Sequence, residues 1–152
     1  MKIIDVLNTE AINVNLSARD KKGVLEELVA PVASAAGTTK EQLVKVLLER
    51  ERLGSTGIGG GIGIPHGKLK NMQSLILGFG LSRQGVNFES MDGRPTHIFF
   101  LLLTPENSAG IHLKLLARIS RLLKNDAFKA RLMQSQTPED VIAAVSEEDE
   151  DF

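Results

Sequence analysis

Apolar positions recur at helical spacing in several stretches of this chain and crowd into short runs in two others. Val24, Leu25, Leu28, Val29 and Val32 share one helical face, Asp20 opens the segment and Gly37 stands where a helix stops, which predicts a first helix over 20–36. Thr38-Thr39-Lys40-Glu41 reads as a capping box ahead of Leu43, Val44, Val46, Leu47 and Leu48. Gly54 ends this second helix soon after Arg50 and Glu51. Residues 74–82 and 96–104 predict strands, and the unbroken apolar run from Ile98 to Leu103 is that of a central strand covered on both faces. Gln84-Gly85 and Met91-Asp92-Gly93 mark turns around a short strand at 86–88. Helices follow over about 108–124 and 126–134, with a short one starting at a Thr137 cap and carrying Pro138 in its first turn. The order of elements is α/β.

Length and charge narrow the function classes. A chain of 152 residues fits one domain and buries roughly 70% of the surface its unfolded form exposes. With 18 basic and 19 acidic residues the net charge is −1 and no basic run occurs, so nucleic acid and anionic lipid are not expected partners. The absence of cysteine excludes disulfides, thiolate zinc sites and a cysteine nucleophile. The N-terminus lacks a cleavable apolar core, and no apolar run approaches the ~20 residues needed to cross a bilayer, which predicts a cytoplasmic protein. Residues 147–151 are five consecutive acids, so 147–152 is expected to be a disordered tail on a domain spanning 1–146.

The candidate chemistry lies between Arg50 and Lys68, in RERLGSTGIGGGIGIPHGK. Six glycines from Gly54 to Gly63 allow positive φ angles and close approach to a ligand, which suits an anion. Pro65 fixes its own φ, biases Ile64 to an extended conformation and delivers His66, with Gly67 leaving the imidazole uncrowded on its far side. An imidazole with a pKa of about 6.5 is largely neutral at pH 7 and needs no separate base to attack a phosphoryl group. Known phosphate motifs fail here. A P-loop ending at Gly67-Lys68 requires glycine at 62, which is Ile62, and neither Gly57-Ile58-Gly59 nor Gly61-Ile62-Gly63 has the third glycine of a dinucleotide fingerprint.

The Arg50-Glu51 pair, Gly54-Ser55-Thr56-Gly57-Ile58-Gly59 and Ile64-Pro65-His66-Gly67-Lys68, at this spacing, resemble the enzyme IIA proteins of the bacterial phosphoenolpyruvate-dependent phosphotransferase system, in the fructose/mannitol/nitrogen-regulatory class. The resemblance extends through the preceding amphipathic helix, the segment 85–95, the strand ending Leu-Thr-Pro-Glu and the helix opening Gly110-Ile-His-Leu. Gly60 departs from it, since an asparagine or an acidic residue is expected there, and a third consecutive glycine is expected to loosen the loop. The resemblance implies a single α/β domain with a mixed sheet flanked by helices. It implies that His66 accepts a phosphoryl group from the phosphohistidine of a small carrier of the HPr type. The group then passes to a IIB domain, or its presence signals to regulatory target proteins. No cofactor, metal or nucleotide is implied, and a IIB step on cysteine cannot lie in this chain. A chain of this length without an attached IIB or membrane domain looks more like the stand-alone nitrogen-regulatory type than the sugar-specific type.

Supporting residues are assigned on two grounds. His112 falls inside an apolar arc of about 140° on its helix at 100° per residue, and it matches the family's second active-site histidine. It lies in the first turns of its helix, where the positive dipole end favours an anion. Arg50 opens the family motif, and its planar fork binds two phosphate oxygens at once. Ser55 and Thr56 could simply cap the turn; by resemblance one or both help hold the phosphoryl oxygens, with the glycine-loop amides. Lys68 is read as a surface charge beside the site and His97 as structural. Two rival readings remain from other classes: a zinc hydrolase built on His66, His97 and His112 with Glu106 as base, and an interaction domain whose loop binds a protein without chemistry.

Overall fold

A computed structural model describes residues 1–149. A 3-10 turn at Ile3–Asp5 precedes β1 (Leu7–Asn13), α1 (Lys21–Val29), α2 (Lys40–Glu51), β2 (Gly57–Gly59), β3 (Ile62–Gly63) and β4 (His66–Leu69). Then come β5 (Ile76–Val86), β6 (Thr96–Pro105), α3 (Ala109–Leu122), α4 (Asp126–Met133) and α5 (Pro138–Glu148). The strands form one mixed sheet in the order β1-β5-β6-β3-β2, with β4 also beside β6. β1 runs parallel to β5, β5 antiparallel to β6, and β3 and β4 both parallel to β6.

β6 organises the molecule because its side chains alternate between two cores. Ile98, Phe100 and Leu102 pack with Leu115, Ile119, Phe128, Leu132 and Val141 of α3, α4 and α5. Phe99, Leu101 and Leu103 pack with Val24, Leu28, Leu43 and Leu47 of α1 and α2. Three layers result, and each fully buried leucine in them contributes about 1.5–3 kcal/mol of transfer free energy. The expected α/β class and the mixed sheet flanked by helices are what the structure has. Among the described residues no helix is long and apolar enough to cross a membrane.

Several boundaries differ from expectation. α1 stops at Val29 rather than continuing to residue 36, because Pro31 has no amide proton and its ring collides with the carbonyl four residues back. Turns fill 30–37 up to Gly37 at φ +74°. The N-cap of α2 is Thr39, whose hydroxyl accepts from the Gln42 amide at 3.1 Å, one residue later than the capping box predicted. The turn expected at Gln84-Gly85 is an irregularity inside one long strand: the β5/β6 register shifts between Leu81 and Val86, and Gly85 takes φ +92°. β1 has no counterpart in the sequence reading. The acidic segment is not disordered where it is described. Glu147 and Glu148 continue α5, Glu147 pairs with Arg131, and the Asp149 carboxylate accepts from the Ile3 and Ile4 amides at 3.1 and 2.7 Å. Cationic and amide partners thus offset the mutual repulsion of the acids. The remainder of the expected tail, 150–152, lies outside the described residues.

Candidate functional site

The glycine run folds into a hairpin set apart from His66. Residues 57–63 make a β2/β3 hairpin whose tip, Gly59 to Gly61, takes φ values of +95°, +66° and +81°, which glycine adopts without a Cβ penalty. The Gly60 amide donates to Asp92 Oδ2 at 3.0 Å, and Lys129 Nζ donates to the Gly60 carbonyl at 3.1 Å. Gly60, the middle of three consecutive glycines, is thus hydrogen-bonded through both its amide and its carbonyl. The Gly61 carbonyl accepts from His97 and Ile98, so the tip lies at the foot of β6. His66 pairs with Leu102, four positions further along that strand, which is about 13 Å at strand rise.

His66 is placed by the segment that follows the hairpin. Ile64 donates its amide to the Thr56 carbonyl, and the Pro65 carbonyl accepts from Leu102. That brings His66 to the first position of β4, a short strand that among the described strands pairs with β6 alone. Gly67 does more than leave room beside the ring. A Cβ on it would stand 2.9 Å from Val46 Cγ1 of α2, so the missing side chain lets that helix close on β4. His66 Nδ1 lies 2.7 Å from the Ile64 carbonyl oxygen. A carbonyl only accepts, so Nδ1 carries the proton and Nε2 keeps its lone pair. Burial first, then the neighbouring Arg50 and Lys68 charges, lower the His66 pKa below 6.5 against opposing contributions from the Ile64 carbonyl and Glu51.

His112 enters from the other side of the sheet. It is 4% exposed, in the first turn of α3, with its ring 5.3 Å from that of His66 at 65°. Its Nδ1 lies 2.6 Å from Oγ1 of Thr104, a fully buried side chain of β6. Burial, helped by His66 and Lys68, lowers its pKa to about 4, so the ring is neutral at pH 7. A shallow cavity of about 470 Å³ opens between α2 and α3, lined by the charged Glu49, Arg50 and Lys68 and by His66 and His112, with the apolar Val46, Leu53, Leu113 and Leu116 on its walls. Arg50, in the last turn of α2, anchors one guanidinium nitrogen on the Gly54 carbonyl at 2.9 Å, which leaves other N–H groups for an anion. Leu53 and Leu113 are 84% and 66% exposed, placing large apolar side chains at the cavity mouth.

Ser55 and Thr56 are not in this cavity. The Ser55 hydroxyl donates to the Phe88 carbonyl at 3.0 Å, and the Thr56 hydroxyl is buried and donates to Glu51. Glu51 was missed as a contributor. Its buried carboxylate also accepts from the Thr56 amide at 3.0 Å and pairs with Lys21 Nζ at 2.9 Å, tying α1, the end of α2 and the hairpin together. The signal was available, since Glu51 is the second half of the Arg-Glu pair. His97 bonds through Nδ1 to the Ser82 carbonyl at 2.8 Å. It lies five positions before Leu102 on β6, about 16 Å from His66 at strand rise, and so cannot share a zinc ion with His66 and His112.

The family described as "Phosphoenolpyruvate-dependent sugar phosphotransferase system, EIIA 2" matches residues 5–148. A nitrogen regulatory protein of Bradyrhizobium diazoefficiens is 39% identical over 146 residues, covering 96% of this chain and 95% of that one. The fructose-specific EIIABC component of Bacillus subtilis is 34% identical over 98% of this chain and 24% of its own length. A crystal structure of nitrogen regulatory protein IIA-Ntr from Neisseria meningitidis superposes with a TM-score of 0.89 at 30% identity, over 94% of this chain and 98% of that one.

Proposed function

This chain belongs to the EIIA 2 family of the phosphoenolpyruvate-dependent sugar phosphotransferase system, and from that premise we propose that it is a phosphoryl carrier whose acceptor atom is Nε2 of His66. The observation that carries this reading is the 2.7 Å bond from His66 Nδ1 to the Ile64 carbonyl, which leaves Nε2 as the nucleophile at a cavity where Arg50 and Lys68 outnumber the one carboxylate, Glu49. The donor is the phosphohistidine of a small carrier protein of the HPr type. Its N–P bond breaks as the bond to Nε2 forms, and the phosphoryl group in flight spreads charge over its equatorial oxygens. Arg50 and Lys68 offset that charge, and His112 offers a hydrogen bond from a neutral ring. Ser55 and Thr56 support the hairpin instead, since both hydroxyls are already donated to protein acceptors. The exposed Leu53 and Leu113 frame the mouth for docking of donor and acceptor proteins.

The phosphorylated state is read in the cytoplasm by regulatory partner proteins. Similarity along nearly the full length of a nitrogen regulatory protein supports this subtype. A second reading, transfer to a separate IIB protein of a sugar transporter, is favoured by the 34% identity to part of a fructose-specific EIIABC component. Incubation with enzyme I, the HPr-type carrier and phosphoenolpyruvate, followed by intact mass measurement, tests the common step. One acid-labile, alkali-stable phosphoryl group is expected on the wild type and none on His66→Ala. An increment retained in that variant refutes the assignment.

A further inference from the structure

We infer that the Thr104 hydroxyl holds His112 as its Nε2–H tautomer, making Thr104 a positioning residue for phosphoryl transfer at His66. Thr104 is fully buried on β6, and its Oγ1 lies 2.6 Å from His112 Nδ1. Two arrangements fit that distance. If Nδ1–H donated to Oγ1, the hydroxyl proton would need an acceptor of its own. Among the described residues Oγ1 has no hydrogen-bond partner except His112 Nδ1. That arrangement therefore strands a buried donor, which folded proteins avoid. In the other, the hydroxyl donates to the Nδ1 lone pair, every group at the contact is satisfied, and the ring proton sits on Nε2. Burial keeps the ring neutral, so there is one ring proton to place.

The consequence is a complementary pair of tautomers. His66 carries its proton on Nδ1, held by the Ile64 carbonyl, and presents a lone pair at Nε2. His112, packed edge-on 5.3 Å from it and itself lining the cavity, has Nδ1 occupied by Thr104, which leaves Nε2–H as its remaining ring donor. One ring is then a nucleophile and the other a hydrogen-bond donor to the phosphoryl oxygens, and no proton moves in the transfer. The opposite His112 tautomer would turn a second lone pair toward the phosphoryl oxygens and repel them. Thr104 itself touches neither the phosphoryl group nor His66 Nε2. Its effect passes entirely through His112.

This inference rests on the carrier reading for its kinetic consequence, yet its tautomer assignment stands apart from it. The test is a ¹⁵N NMR spectrum of the uniformly labelled protein at neutral pH, joined to a timed phosphate-uptake assay from the phosphorylated carrier. In the wild type, His112 Nδ1 should resonate as an unprotonated, pyridine-type nitrogen and Nε2 as a protonated one. Thr104→Val keeps the side-chain shape and removes the hydroxyl, so the two signals should move toward each other and uptake should slow roughly tenfold or more. Thr104→Ser should restore both the shifts and the rate to within about twofold of wild type. A protonated Nδ1 in wild-type His112 overturns the inference, as does a Thr104→Val protein with wild-type shifts and rate. Should the valine variant fail to fold, the wild-type spectrum decides alone. Failure of the wild type to take up phosphate would count against the carrier reading, and the ¹⁵N shifts would still judge the tautomer.

Discussion

At His66 one hydrogen bond sets the tautomer: the Ile64 carbonyl holds the proton on Nδ1 and frees Nε2. The Arg50 charge acts on the same ring at longer range. Arg50→Lys keeps a point charge but loses the planar fork, and should slow phosphate uptake by roughly ten- to a hundredfold, on the order of 1.4–3 kcal/mol, while still reaching completion. Equal rates in wild type and Arg50→Ala would mark it as a helix-end charge only. His112 carries a pH signature. Its folded pKa of about 4 lies below the unfolded value of 6.5, so between those values the unfolded chain binds more protons and stability rises with pH. The wild type should therefore lose stability as pH falls from about 6.5 toward 4, and His112→Leu should lose less over the same window. Denaturant unfolding at both ends of the range checks this, and parallel pH profiles would contradict it. His66, Arg50 and His112, which line one cavity, could be singled out from the sequence because each stands in a motif or on a helical face. For Ser55 and Thr56 the sequence left a turn and a ligand role open, because a short hydroxyl side chain serves either, and the acceptors they find at Phe88 and Glu51 depend on contacts that the sequence does not display.

At the scale of elements, the spacing of glycines identified a run that bends but not where it bends. Three consecutive positive-φ residues turn the β2/β3 hairpin away from His66, and long-range partners at Asp92 and Lys129 fix it there. β1 was illegible because Asn8, Thr9 and Glu10 break its apolar pattern, and its place beside β5 comes from pairing, not from propensity. Gly67 shows the converse, a small residue whose value is helix packing. Gly67→Ala would drive a methyl group to 2.9 Å from Val46 Cγ1, and should destabilise the fold by about 1–3 kcal/mol. Because α2 also carries Arg50, phosphate uptake should slow as well. Adding Val46→Ala should recover part of the loss, making the double variant more stable than the sum of the singles. A thermal melt series on the four proteins checks this, and strict additivity would show that the two side chains do not compete for space.

For the whole molecule, the site exists because three layers meet at the edge where β4 joins β6. α2 covers one face of the sheet and brings Arg50, α3 covers the other and brings His112, and the short strand between them presents His66. The unbroken run from Ile98 to Leu103 announced the central strand, and so the three-layer arrangement, directly from the sequence. The meeting of α2 and α3 across its end was not legible, since it depends on contacts far apart in the chain. The most direct test of this account is the nitrogen that bears phosphorus, read by ¹⁵N–³¹P coupling in the labelled, phosphorylated protein. Coupling to His66 Nε2, with Nδ1 still protonated, is the predicted result. Coupling to His66 Nδ1, to His112 or to His97 would contradict it.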